Sequence, residues 1–212
     1  MKVKLITTAT DKYNKGFKQL QRSLDHFGWD YDVISSNYQA YGSKMVNAYR
    51  YAKQTDCTHL FIVDAYDVFV LGTMHEALSK IKDHEAILFN AEKAAWPYAD
   101  WAERYPETTS DWKYLNGGAC FVPVPLFIEM FESSPIKDID NDQVNLAEFF
   151  LSKKFTFNLD NKCEVFQSIA FESPTDLYYH EDRLENLKTH TKPVIIHGNG
   201  GTDMGLIYSL VK

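Results

Sequence analysis

No stretch of this chain approaches the ~20 consecutive apolar residues of a membrane-spanning helix, and Met1 to Thr8 lacks an apolar core of signal-peptide length. The chain as it stands is therefore expected to be cytoplasmic, with no membrane partner. Cysteine is scarce. Cys57, Cys120 and Cys163 are an odd number with neither CxxC nor zinc-finger spacing, which fits isolated thiols in a reducing compartment. Positive charge is short as well, with 22 Lys and Arg against 29 Asp and Glu and a net charge of −7. That balance argues against broad capture of nucleic acid, although a small local basic patch would survive it. Repeats and low-complexity tracts are absent.

What is present is the ordinary composition of a protein with a real core: 45% hydrophobic and 24% charged residues over 212 positions, read as one domain spanning 1–212. Aromatics are frequent, at 15%. Most serve packing, although sugar and nucleobase sites also use flat rings.

Short apolar runs alternate with helical patterns, as in an α/β domain. Val3 to Thr7 and Tyr31 to Ile34 read as strands. Phe17, Leu20, Leu24 and Phe27 recur at helical spacing and stop at Gly28. Met45, Ala48, Tyr49 and Ala52 predict a second helix, and Asp142 to Leu151 another. His59 to Val63 is a continuous apolar run, the mark of a strand buried on both faces. Ala86–Phe89, Ala119–Val122 and Val194–Ile196 predict further strands. Polar residues follow several of these runs, and open α/β sheets bind ligands beyond the carboxyl ends of their strands.

Four segments carry candidate chemistry. Asp64-Ala-Tyr-Asp67 ends the buried run, where an aspartate is costly without a partner. Two carboxylates three apart on a turn can converge on Mg²⁺ or Mn²⁺; a capped turn with one solvated carboxylate explains the spacing equally well. His197-Gly-Asn-Gly-Gly201 follows a strand, so the loop can approach an anion closely and His197 can complete a metal site. Glu92, Trp96-Pro97 and Tyr114-Leu-Asn-Gly-Gly118 form the third, with Asn-Gly-Gly read as a turn entering a strand. The acidic stretch from Asp138 to Asp142, followed by Gln143, is the fourth; alone it reads best as helix capping, with Asp142 the natural cap.

In this order, and with Leu5-Ile-Thr-Thr-Ala-Thr10, Tyr105-Pro106-Glu107 and Asn158-Leu-Asp-Asn-Lys-Cys163 added, the segments resemble the glycosyltransferase domain of the procollagen lysyl hydroxylases and its viral and bacterial relatives. The resemblance runs along nearly the whole chain. It implies a GT-A type α/β fold with a mainly parallel, Rossmann-like central sheet, a UDP-sugar donor and Mn²⁺. By matching position, Asp64, Asp67 and His197 would hold the metal. Thr8, Ala9 and Thr10 would line the nucleotide pocket, with Tyr66 stacked on the uracil. Lys44 and the loop Gly198, Asn199, Gly200 would meet the diphosphate. Glu92, Trp96, Asn116 and Asp142 would face the sugar or a hydroxyl acceptor, with hydroxylysine of a collagen-like protein as the acceptor the family suggests. Two positions depart from the family. Asn141 replaces one aspartate of a longer acidic run, and Asp203 stands where the loop after His197 reaches a lysine. The hydroxylase domains of the large enzymes are absent, so no lysyl hydroxylation is expected.

Other readings use the same residues. The acceptor can be a hydroxylated nucleobase, a lipid or a glycan. A metal-dependent nucleotidyl transferase or phosphohydrolase would also need the carboxylates, and a nucleotide-sugar or glycan-binding protein without turnover would tolerate both departures.

Overall fold

The computed structural model describes residues 1–36, 39–173 and 175–211. Its centre is a six-stranded sheet in the order β2-β1-β3-β6-β5-β7. The strands are β1 (Val3–Ala9), β2 (Tyr31–Ser35), β3 (His59–Val63), β5 (Ile87–Glu92), β6 (Tyr114–Pro123) and β7 (Phe157–Leu159). β1 pairs in parallel with β2 and β3, and β5 with β7, whereas β6 runs antiparallel to both of its neighbours. The sheet is therefore mainly parallel, as expected, with one strand reversed. That reversal matters for the site. β6 brings its amino-terminal end to the edge where β1, β3 and β5 present their carboxyl ends.

Side chains alternate between two cores, because successive residues of a strand face opposite sides. On one face Ile6, Leu60, Ile62, Phe89 and Val122 pack against α2 (Ser43–Ala52), α4 (Val124–Ser133) and α5 (Asp142–Ser152). On the other face Leu5, Phe61, Val63 and Phe121 meet α1 (Lys15–His26) and α3 (Met74–Lys80). All five residues of β3 are buried, which is why its sequence shows no polar alternation. Helix α1 starts at Asn14, whose side chain accepts from the Gly16 and Phe17 amides, and it ends before Gly28, whose φ of +65° suits glycine.

A second sheet completes that lower layer: β4 (Val68–Val70), β11 (Ile195–His197) and β8 (Phe166–Ser168), in the order β4-β11-β8. The strand predicted at Val194–Ile196 thus belongs to this smaller sheet and not to the central one. β9 (Leu177–His180) and β10 (Arg183–Asn186) form a hairpin, and α6 (Gly205–Ser209) lies near the C-terminus. All three cysteines are free and buried. Among the described residues, no helix is long and apolar enough to cross a membrane.

Candidate metal and donor site

The apolar run of β3 stops at Asp64, whose amide donates to the Gly118 carbonyl of β6 at 2.8 Å. The chain then turns and enters β4 directly after Asp67. β4 pairs with β11 so that Val68 lies opposite His197, and the Gly198 amide donates to the Asp67 carbonyl at 2.7 Å. This pairing brings residue 197 beside residues 64 and 67. His197 Nε2 lies 3.5 Å from Asp64 Oδ2 and 3.4 Å from Asp67 Oδ2, and the three ligand atoms fall within 4.8 Å of one another.

The imidazole is aimed by its other nitrogen. Nδ1 lies 2.8 Å from Asn116 Oδ1, so a proton there leaves the Nε2 lone pair for the carboxylate side. Gly118 makes room for the ring: a β-carbon at that position would stand 1.9 Å from His197 Cε1. The Asn-Gly-Gly segment is therefore not a turn before a strand. It lies inside β6, at a bulge where Asn90 pairs with Asn116, and the missing side chain of Gly118 admits the His197 ring. Burial pushes the Asp64 carboxyl up, with Asp67 adding to the rise and Lys44 opposing it. Burial also pushes Asp67 up and His197 down, but their mutual attraction outweighs it, holding Asp67 low and His197 high.

Lys44 is mostly buried and gives its ammonium to Asp64 Oδ1 at 2.7 Å, the Gly117 carbonyl at 2.8 Å and Asp142 Oδ2 at 3.1 Å. Desolvation opposes that charge, and the two aspartates more than restore it. All three donors thus point at the protein, so Lys44 fixes Asp64 and Asp142 relative to each other. Asn141, not Asp142, is the residue at the N-cap of α5, and the two share the Gln143 amide: Asn141 accepts from it at 3.1 Å and Asp142 Oδ1 at 2.9 Å, while Asp142 Oδ2 faces Lys44. Asn and Asp cap equally well, which gives Asn141 a structural reason. Gln143 clamps α5 to β6: it accepts from the Gly117 amide at 2.7 Å and donates to the Leu115 carbonyl at 2.5 Å. Asp203 accepts from the Gly205 amide at 2.9 Å at the start of α6.

Glu92, at the end of β5, is buried. Desolvation lifts its pKa to about 6, against hydrogen bonds from Asn116 and Asn199 and the charge of His197. Asn199 donates to Glu92 Oε2 at 2.8 Å and accepts from the Ala170 amide at 2.9 Å, so its side chain is committed to the protein. Asn116 likewise joins His197 to Glu92. Gly198 is buried, and Gly200 has a φ of +67° in the short turn Asn199–Gly201. Trp96 stands in the segment after β5, 53% exposed and outside this hydrogen-bonded cluster.

The nucleotide-pocket candidates lie on the other side of Asp64. A cleft of about 660 Å³ is lined by Ala9, Thr10, Asp11, Lys12, Tyr13, Ser35 and Ser36, beyond the ends of β1 and β2. Thr8 lies within β1, half-buried. The Tyr66 hydroxyl accepts from the Thr10 and Asp11 amides, both at 2.8 Å, which ties its ring to two lining residues of the cleft. A groove of about 710 Å³ at the β5–β7 edge, lined in part by Leu88, Trp112 and Lys162, includes none of the triad.

Sequence reasoning passed over Asn90, and it named Gly118 only for backbone approach to a ligand. It also passed over Lys93, which pairs with Glu172 at 2.7 Å and Asp176 at 3.4 Å and lies over the Trp112 ring. A charged residue directly after a buried strand was the available signal for Lys93. Asn90 carried none.

A mainly parallel sheet with a cleft beyond β1 and β2 and a carboxylate–imidazole triad beyond the end of β3 fits the GT-A-like class. Solved structures agree on the fold: a glycosyltransferase involved in glycosylating the major capsid of PBCV-1 aligns with a TM-score of 0.59 at 9% identity, over 99% of this chain and 98% of that one. The WbbM bifunctional glycosyltransferase aligns at 0.56 and 12% identity, over 94% of this chain and 46% of that one.

Residues 1–209 match the family described as the PLOD GT domain, and the chain belongs to that family of glycosyltransferases. It is 27% identical over 229 residues to the human multifunctional procollagen lysine hydroxylase and glycosyltransferase LH3, covering 98% of this chain and 31% of the relative. Mouse procollagen-lysine,2-oxoglutarate 5-dioxygenase 2 is 28% identical over 96% of this chain and 30% of its own length. An uncharacterized protein of Acanthamoeba polyphaga mimivirus is 33% identical over 76% of this chain and 36% of that protein. The chain spans about a third of the length of these relatives.

Proposed function

We propose that residues 1–212 act as one Mn²⁺-dependent glycosyltransferase domain that moves a hexose, glucose or galactose, from a UDP-sugar to a hydroxyl acceptor. The observation that carries this reading is the convergence of Asp64, Asp67 and His197 ligand atoms within 4.8 Å, at the edge where α/β sheets bind ligands. The donor set fits the ion. Carboxylates suit Mg²⁺ and Mn²⁺ alike, and an imidazole nitrogen shifts the preference toward the transition metal.

When bound, the cation neutralises diphosphate charge as UDP departs. The chain's own residues place the partners. Asp64 shares its carboxylate between Lys44 and the triad, so Lys44 holds one ligand oxygen turned toward the cation. Tyr66, braced on Thr10 and Asp11, offers a ring to the uracil, and the cleft by Ala9 and Thr10, with Thr8 on the same strand, takes the nucleoside. The turn Gly198, Asn199, Gly200 presents backbone to the diphosphate. Glu92, Asp142 and Trp96 serve the sugar and its acceptor. Glu92, with its pKa lifted to about 6, is suited to exchange a proton near neutrality. Relatives named for procollagen lysine hydroxylation and glycosylation make hydroxylysine the first acceptor to test.

The test is transfer of labelled hexose from UDP-glucose and UDP-galactose to a hydroxylysine peptide, a glycan and a lipid. Transfer with Mn²⁺ and none in EDTA supports the reading. UDP binding that is undiminished by EDTA, or nucleotidyl transfer in place of sugar transfer, defeats it. Asp142→Asn should keep UDP affinity and lose about tenfold or more in transfer rate, because an amide cannot act as a base.

A further inference from the structure

Below His197 lies a column of amides whose polarity starts from a group that cannot turn round. The Gly118 backbone N–H donates to Asn116 Oδ1 at 2.9 Å. A peptide N–H is a donor in every state of the protein, so the oxygen end of the Asn116 amide must face it. The same oxygen is 2.8 Å from His197 Nδ1, which must then carry the proton. Asn90 reaches that oxygen from below, with Nδ2 at 3.2 Å, and Nδ2 also donates to Ser168 Oγ at 2.8 Å.

Asn90 is fully buried, and among the described residues its Oδ1 has no hydrogen-bond partner. An unpaired buried carbonyl is costly, and the opposite amide orientation would set oxygen against oxygen at Asn116. We propose that Asn90 is a positioning residue for the metal site: its amide donor, with the Gly118 N–H, fixes Asn116 Oδ1 on His197 Nδ1 and so keeps Nε2 free to ligate. The inference rests on the reading of Asp64, Asp67 and His197 as a metal triad. Its core claim, the tautomer, is observable without any metal. Asn90 touches neither the cation nor the substrate.

Two substitutions separate this role from simple packing. Asn90→Asp sets a second oxygen against Asn116 Oδ1 and so loosens that oxygen's hold on His197 Nδ1. Asn90→Leu is similar in size, removes the donor, and also removes the unpaired carbonyl. Nitrogen-15 spectra of histidine-labelled, metal-free protein at pH 9 should show His197 as the Nδ1–H form in the parent and a mixture enriched in the Nε2–H form in Asn90→Asp. Mn²⁺ affinity, read by calorimetry without donor or acceptor, should fall about tenfold or more in Asn90→Asp, in line with other groups that orient a metal's ligands. In Asn90→Leu it should fall about threefold, with a melting temperature within a few degrees of the parent. Parent affinity and an Nδ1–H His197 in both variants overturn the proposal; if Asn90→Asp does not fold, Asn90→Leu decides alone. Failure of the parent itself to bind Mn²⁺ removes the metal reading, and the spectra still judge the tautomer.

Discussion

Glu92 and Lys93 are neighbours in sequence, yet they belong to charge clusters with opposite constructions. Around Lys93 each ion faces protein. The ammonium bridges Glu172 and Asp176, Asp176 also takes Lys188 at 3.1 Å, and Glu172 accepts from Trp112 Nε1 at 2.9 Å. Around Lys44 a single ammonium serves Asp64 and Asp142, while Asp64 and Asp67 share the one imidazole of His197. In the first cluster every carboxylate has a lysine partner, and the cluster braces the segment around residue 172 against the end of β5. The second holds more negative charge than the protein neutralises, a surplus that a dication can meet.

The comparison breaks most readily at the triad. Asp64→Asn and Asp67→Asn should each weaken Mn²⁺-dependent UDP binding by about 100-fold or more, beyond the loss expected for second-rank ligand supports. Calorimetry in Mn²⁺ and in EDTA checks this, and a variant that binds like the parent would make the second cluster as fully paired as the first. Next in size is Lys93→Met, which leaves Glu172 without its lysine while Asp176 keeps Lys188. It should cost about 3 kcal/mol of stability in urea unfolding and leave Mn²⁺ affinity unchanged.

Glu92 sharpens the contrast through pH. Its pKa is raised on folding from 4.5 to about 6 by burial. The protonated form is favoured in the folded chain, so its contribution is fully present below pH 4.5 and is lost as pH rises through 6. In metal-free protein, Glu92→Gln should remove about 2 kcal/mol of that decline, seen as a difference in urea midpoints between pH 4.5 and 7. The smallest effect belongs to Asn141. Asn141→Ala should cost about 1 kcal/mol as a lost cap, whereas Asn141→Asp should cost nearly nothing in stability or in transfer.

How much of this was visible in the residues depends on whether the cause is local. β3 and α5 were legible because a buried run and a helical start are written within ten residues. Asp64 and Asp67 stood out because the run ends on them. The reversal of β6 was not legible, since an apolar alternation reads the same in either direction and only the connections set its sense. β4 and β8 have three residues each, too few for a period to show. The inward turn of Asp142 was hidden because its partner, Lys44, is remote. Asn90 and Lys93 were hidden likewise, with contacts 26 and 79 residues away.

The three ligand residues sit after β3, before β4 and at the end of β11, and the imidazole is aimed from β6. No single element contains them. The site is therefore expected to close late, because residues 67 and 197, far apart in the chain, must first be brought together, the kind of distant pairing that slows folding. Binding competence and completed folding become one event, so a cation taken up only by the finished structure should deepen its free-energy well by about 2.7 kcal/mol at a hundred times its dissociation constant. Chelator added during refolding should leave the folding rate unchanged and raise the unfolding rate, because a contact made last is also the first released.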